Sequence, residues 1–492
     1  MTYGVLENKK RKNPDVKSMK ISYRTLLTLL VFLALFVFFF AFLISEVTVL
    51  KCSIFVVLGF VTILIFSLYC LIRESIRKPF SLAQVYWIFS LIFFGLAPLL
   101  MYLSGYIPWG YRISDFTYLV ACLLVMVWNV LFYLAYCFFD PFKTYSQNKK
   151  SRLQKEKEHF PNKSFLFGLF LVAIVALAIL IGLVGLGNLF SRSTYDFENM
   201  PLSLSLIADK VLRGIIFLNA AFQIYAFRNR RGIAPILFIS ILILLVGCFP
   251  LGMARYTMAA IYLGLLMIAF PRFFSKGVFP IVLLMGLVLI FPSSNTFRTT
   301  EFSFDALVVS FEESVSALAS GFFSPDFDAF SMLCRGIEYV DSAGISYGLN
   351  FFGALFFFVP RSLWQDKPFG TGQTISTYQG QAYTNLSCPL PAEFYVAFGL
   401  VGVILGAIII GKICRYIDEK YSELLFYPFL VILFFFMCRG DLMSSFAYLI
   451  AYFFVYFVTH KINQIPDQRL ALMLKKRNTS FGKNYQTKSK HN

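Results

Sequence analysis

Residues 164–187 read SFLFGLFLVAIVALAILIGLVGLG, 24 consecutive positions without a charged side chain. Wound as an α-helix, such a run crosses a hydrocarbon layer of about 30 Å. It does not alternate apolar with polar residues, so it is not a strand of a membrane β-barrel. Apolar runs of 17 to 25 residues recur between positions 25 and 459. The 492-residue chain is 58% hydrophobic and 18% aromatic, and its 60 Phe exceed what a water-soluble core needs. The fold class that follows is all-α, a polytopic integral membrane protein. Twelve spans are expected, near 25–45, 51–72, 81–104, 116–139, 164–187, 205–227, 232–249, 255–271, 277–292, 392–411, 422–438 and 441–459.

A net charge of +18 invites a nucleic-acid partner, but the distribution of the charge argues against one. Basic residues concentrate in short loops and tails between the apolar runs, as the positive-inside rule describes. With a cytoplasmic N-terminus, the leader 1–24, the loops 73–79, 143–163, 228–231, 272–276 and 412–420, and the tail 460–492 all fall inside. Together they hold 33 of the 44 Lys and Arg. The leader is expected to be retained, because the apolar run behind it is a full span with no small-residue cleavage site. The expected organisation is therefore a cytoplasmic basic leader 1–24, nine helices over 25–292, a large periplasmic loop 293–391, three helices over 392–459 and a cytoplasmic basic tail 460–492.

Eleven basic residues do not follow the topological trend, and eight of them are Arg. Arg255 starts the eighth predicted span and Arg439 separates the last two. Arg298, Arg335, Arg361 and Lys367 lie in the outer loop, whose length marks it as functional. That loop mixes Phe-rich stretches with acids, which predicts two or three short amphipathic helices. Residues 349–359, LNFFGALFFFV, are too few to span and are expected to be re-entrant or interfacial. Arginine presents paired donors that suit phosphate. Several of them converging at a membrane surface point to a phosphate-bearing lipid, above all a pyrophosphate.

Carboxylates share this face: Asp366 close after Arg361, Glu393 at the start of the tenth span, and Asp441 two residues after Arg439. The three histidines, His159, His460 and His491, are all predicted cytoplasmic. A general base at the outer face is therefore a carboxylate, with Asp366 and Glu393 the candidates. Asp441 next to Arg439 is read as orienting it. Asp209, Lys210 and Arg213 lie within the sixth span, where ionisable residues are costly; Asp209 and Arg213 are spaced to pair on one helical face. Gly370 and Gly372 suggest tight turns after Pro368. The nine Cys show no CxxC spacing, so no metal site is expected. Cys334 and Cys388 share the outer loop, where either a disulfide or two free apolar thiols would fit.

The stretch FVPRSLWQDKPFGTG resembles the Pro-Arg-Ser-x-Trp-x-Asp-Lys-Pro signature of the Wzy-type oligosaccharide repeat-unit polymerases, also called O-antigen polymerases. The matching positions are Pro360, Arg361, Ser362, Trp364, Asp366, Lys367 and Pro368. Downstream, Glu393, Phe398, Gly399 and Gly402 are similar to the acid and FG-x-x-G run that open a following span in that family. Arg255, and Arg439 with Asp441, also resemble family positions. The segment from Arg361 to Gly372 fits one copy of the arginine–glycine loop described for such polymerases; a second copy is absent.

The resemblance implies a GT-C-like enzyme of the bacterial inner membrane that needs no cofactor. It would transfer a growing glycan from undecaprenyl pyrophosphate to a new lipid-linked repeat unit on the periplasmic face. Arg255, Arg298, Arg335, Arg361, Lys367 and Arg439 would bind pyrophosphate, with Asp441 and Gly372 in support. A separate chain-length regulator would be a partner. Two other readings stand beside it: an O-antigen ligase, of which an outer histidine is expected, and a lipid-linked oligosaccharide flippase, which should show internal repeats.

Overall fold

The computed structural model describes residues 52–110, 112–138, 161–190, 202–290, 303, 305, 308–310, 312, 320–381, 383–384 and 386–464. The predicted span 25–45, the basic leader, Arg298 and the tail beyond 464 lie outside the described residues. Every regular element within them is a helix. In chain order these are α1 (Ile54–Arg77), α2 (Leu82–Ser104), α3 (Asp115–Cys137), α4 (Lys163–Val184), α5 (Leu202–Arg228) and α6 (Ala234–Gly252). Then follow two shorter apolar helices, α7 (Arg255–Ala269) and α8 (Phe279–Val288). Among the described residues, α9 (Ala329–Ala343), α10 (Leu349–Leu355) and α11 (Thr371–Tyr378) lie in the predicted outer loop. The chain returns through α12 (Leu390–Lys420), the short α13 (Tyr427–Arg439) and α14 (Leu442–Gln464). By length and composition, α1 to α6, α12 and α14 are each able to cross a membrane, α5 over Ala208–Arg228. The protein is a polytopic membrane protein.

Local chemistry explains where the helices start. Ser81, Ser114 and Asn162 each accept a hydrogen bond from the backbone N–H three residues on, capping α2, α3 and α4. Glycines with positive φ, Gly105 (70°) and Gly185 (83°), follow α2 and α4. The bundle packs closely where side chains are small, as expected where lipid supplies no hydrophobic drive between helices. A Cβ on Gly411 of α12 would lie 2.8 Å from Phe132 O of α3, and one on Gly264 of α7 would lie 3.2 Å from Phe429 Cα of α13. Buried polar side chains reinforce this packing. Ser67 of α1, Ser90 of α2 and Asn129 of α3 form a chain of 2.9 Å hydrogen bonds.

Side-chain contacts sort the helix ends into two groups. Arg213 of α5 donates to Gly247 O (2.9 Å), and Tyr262 of α7 donates to Cys248 O (2.7 Å). Arg228, at the far end of α5, donates to Ile268 O at the far end of α7 (2.5 Å). Tyr256, at the start of α7, has its ring centre 3.5 Å from that of Phe436 near the end of α13 and 5.1 Å from that of Tyr448 in the first turns of α14, so one end of the bundle collects the starts of α7 and α14 with the end of α13. The other collects the end of α5 and the start of α4.

Helix α12 is broken at Phe398 and Gly399, where Gly399 takes φ 60°, ψ −146°. Only glycine adopts that conformation readily. The break leaves residues 390–397 as a separate short arm ahead of the long segment. It also frees Val396 O, which accepts from Ser346 N (2.8 Å) and ties the α9–α10 connection to the arm.

Candidate functional site

The site is built at the end of the bundle that carries Arg255 and Arg439. Arg255 is the first residue of α7, where the helix dipole disfavours a cation. Its guanidinium is held instead by Asp326, through Nη1 to Oδ2 (3.0 Å) and Nη2 to Oδ1 (2.7 Å). Arg439 closes α13, where the dipole favours it. Its Nη2 lies 3.2 Å from Oδ1 of Asp328. Two arginines from two helices thus grip acids two residues apart in the turn before α9. Asp328 is 1% exposed and also accepts from Ser387 Oγ (2.6 Å) and Trp109 Nε1 (3.0 Å). Trp109 holds a left-handed conformation, φ 65°, which is strained for a residue with a large side chain. Arg335, with no exposed surface, donates to Pro108 O of that same turn (3.0 Å).

A second cluster lies two residues past Arg439, at the α13–α14 junction. Asp441 accepts Gly372 N on Oδ2 and Met443 N on Oδ1, both at 2.9 Å. A Cβ on Gly370 would stand 2.5 Å from Asp441 Oδ2, and one on Gly372 would stand 2.3 Å from Leu386 O. These glycines are required by close approach, not by the turns expected after Pro368. Burial pushes the Asp441 carboxyl up, and its bonds to backbone N–H groups oppose that rise.

Glu393, fully buried in the short arm of α12, joins three further elements. Its Oε2 accepts from Asn350 Nδ2 of α10 (2.9 Å) and from Thr371 Oγ1 of α11, and its Oε1 from Leu442 N of α14 (2.8 Å). Cys388 is a buried free thiol beside Glu393, and Cys334 is likewise buried and free. The disulfide considered for this pair is not formed.

The loop between α10 and α11 folds on its own cations. Lys367 Nζ donates to Phe357 O (2.6 Å) and Val359 O (2.9 Å). Burial, then the charge of Arg361, holds its pKa below the ordinary lysine value. Arg361 donates to Lys367 O and to Pro368 O (3.2 Å), with its guanidinium 3.8 Å from the centre of the Phe369 ring. Arg361 and Asp366 are exposed.

The structure therefore gathers Arg255, Arg439, Asp441, Glu393 and Gly372 at one bundle end, with Arg361, Lys367 and Asp366 on the loop tied to it by Gly372. Arg335 is buried beneath this surface, and Arg298 is outside the described residues. Asp209 pairs with Arg213 (2.7 Å), as their spacing expects, and Lys210 Nζ lies 4.3 Å from the centre of the Tyr448 ring. Sequence reasoning missed Asp326 and Asp328 as the arginines' partners, and Asn350, Thr371, Ser387 and Trp109 as members of the network. The one available signal was PDFD, two acids in the same predicted outer loop as Arg335 and Arg361.

Among the described residues, no group of three or more His, Cys, Asp or Glu is placed to hold a metal ion. Comparison with protein-family models, with curated proteins and with solved structures gives no match for this chain.

Proposed function

We propose that this protein is a polymerase of undecaprenyl-pyrophosphate-linked oligosaccharide repeat units, with twelve spans, a GT-C-like fold and its Arg255–Arg439 end at the periplasmic face of a bacterial inner membrane. The observation that carries the reading is the convergence of Arg255 and Arg439 on Asp326 and Asp328. The loop with the polymerase-like Pro-Arg-Ser-x-Trp-x-Asp-Lys-Pro sequence is tied through Gly372 to Asp441, two residues from Arg439. Guanidiniums held by carboxylates are pre-oriented for a second anion. A diphosphate, with more charge than either carboxylate, exchanges for Asp326 and Asp328.

In the reaction, a hydroxyl of the incoming lipid-linked repeat unit attacks the anomeric carbon of the growing chain. The bond from that carbon to the phosphate oxygen breaks, and the lipid pyrophosphate leaves with both electrons. Arg255, Arg439 and Arg361 stabilise the charge that develops on it. A carboxylate takes the hydroxyl proton. Asp366 is exposed and suits that role. Glu393 is enclosed by three donors and acts as a positioning residue for α10, α11 and α14. The chain-length regulator would act from outside this site.

The test is direct. The purified protein is given a defined undecaprenyl-pyrophosphate repeat unit and no other enzyme, and the products are resolved on a gel. A ladder at repeat-unit spacing is expected, and it should vanish in Arg255→Ala, Arg361→Ala and Arg439→Ala variants that still insert in the membrane. Normal ladders from all three would refute the site. Transfer only to a lipid A-core acceptor would make the protein a ligase, and transbilayer movement of intact substrate without a ladder would make it a flippase.

A further inference from the structure

We propose a second anion site at the opposite end of the bundle, one that binds the phosphate headgroup of an anionic glycerophospholipid. A cavity of about 330 Å³ opens there between α4, α5 and α6, lined by Lys163, Ser164, Phe167, Gln223, Arg231 and Ile236 among others. At roughly 30 Å³ per water it holds about ten waters, or one phosphoglycerol headgroup. Its chemistry is divided. Lys163 and Arg231, both exposed, supply charge; Leu166, Phe167, Ile233 and Ile236 supply an apolar wall.

The chain places both cations deliberately. Gln223 Nε2 donates to Leu166 O (3.0 Å), which fixes the first turn of α4, and Lys163 with it, against α5. After α5, Arg231 N and Gly232 N both donate to Ala226 O, at 2.9 and 3.1 Å. This turn puts Arg230 in the left-handed region, φ 59°, and has no room for a side chain at Gly232, where a Cβ would meet Phe227 N at 2.6 Å. The sharp reversal brings Arg231 back to line the cavity together with Lys163.

Charge complementarity and depth select the occupant. The cavity opens where α4 and α6 begin, the level of lipid headgroups on an apolar bundle. Below it, Phe167, Leu171 and Val175 of α4 and Phe238 and Leu242 of α6 are exposed apolar side chains along which acyl chains can lie. The Lys and Arg stems cover apolar wall while their heads meet the phosphate. The positive-inside pattern assigns this end to the cytoplasmic leaflet, whose anionic lipids attract such residues. The site is independent of the proposed reaction at the other end.

Native mass spectrometry of the full-length protein, titrated separately with phosphatidylglycerol and phosphatidylcholine, tests the proposal. Phosphatidylglycerol should bind more tightly. Removing either cation, as Lys163→Gln or Arg231→Gln, should weaken it about fivefold, and removing both about 25-fold. Ile236→Trp, which narrows the cavity with a bulkier wall and leaves both charges, should weaken it as well. Equal binding of the two lipids, or unchanged phosphatidylglycerol binding in the double variant and in Ile236→Trp, would overturn the site. Displacement of the lipid by inorganic phosphate alone would assign the cavity to a soluble phosphate and overturn the lipid reading.

Discussion

Asp328 is the residue whose replacement most sharply tests how the arginine end is held. It is 1% exposed and its carboxylate serves Arg439, Ser387 and Trp109. Asp328→Asn keeps the volume and one oxygen acceptor. It replaces the other oxygen by an NH₂ facing the Trp109 indole N–H, donor against donor. The orphaned indole costs about 1–3 kcal/mol and the lost charge on the Arg439 bond a further 1.5–3 kcal/mol. That agrees with the 3–5 kcal/mol typical of breaking a buried pair. Because the Arg439 side chain is 21% exposed, the lower figure, about 3 kcal/mol, is the expectation. Cys388 reports it. The thiol is fully buried between this cluster and Glu393, so it reacts with a maleimide only when the cluster opens. With the other cysteines replaced by alanine, Asp328→Asn should speed native-state labelling about a hundredfold. Arg439→Gln in the same background should show a coupling with Asp328→Asn of about 1–2 kcal/mol. Labelling within about threefold of the parent, or additive effects of the two changes, would refute the assignment of Asp328 as the hub.

Gly370→Ala forces a methyl onto the Asp441 carboxylate and should cost about 1–3 kcal/mol, read as the same Cys388 opening, whereas an open helical glycine such as Gly168, where a Cβ meets nothing within 4 Å, gives no such clash. Glu393→Ala strands the donors from Asn350, Thr371 and Leu442 and should open the junction more than Glu393→Gln, which keeps one acceptor; equal effects would show that the acceptor role is unimportant. The native pKa of Asp441 is raised, chiefly by burial, so the folded state binds a proton more readily than the unfolded chain. Its contribution to stability is greatest below about pH 4 and declines as pH climbs through the raised native value, and Asp441→Asn should flatten that slope in a pH series of unfolding measurements. Arg361→Lys removes the paired donation to Lys367 O and Pro368 O, and should abolish ladder formation while leaving insertion intact.

Composition and the length of apolar runs were enough to read an all-helical membrane protein, because a lipid solvent forces every backbone group to be satisfied within its own helix. The outer arginines stood out for the same reason: a cation on the less basic face needs a partner or a purpose. What the sequence could not supply were the partners. Asp326 lies 71 positions from Arg255, and Asp328 lies 111 from Arg439, so no local period or spacing connects them. Nor could it separate arginines that reach the surface from Arg335, which tertiary packing encloses completely and turns toward Pro108 O. The glycines tell the same story in reverse. Their presence after Pro368 was legible, but the Asp441 carboxylate that makes Gly370 obligatory arrives from the far end of α13. Periodicity is a property of neighbours along the chain, so it specifies helices and their lipid faces. A site assembled from α7, α12, α13 and the turns before α9 and α11 depends on which helix ends meet, and close packing in three dimensions alone decided that.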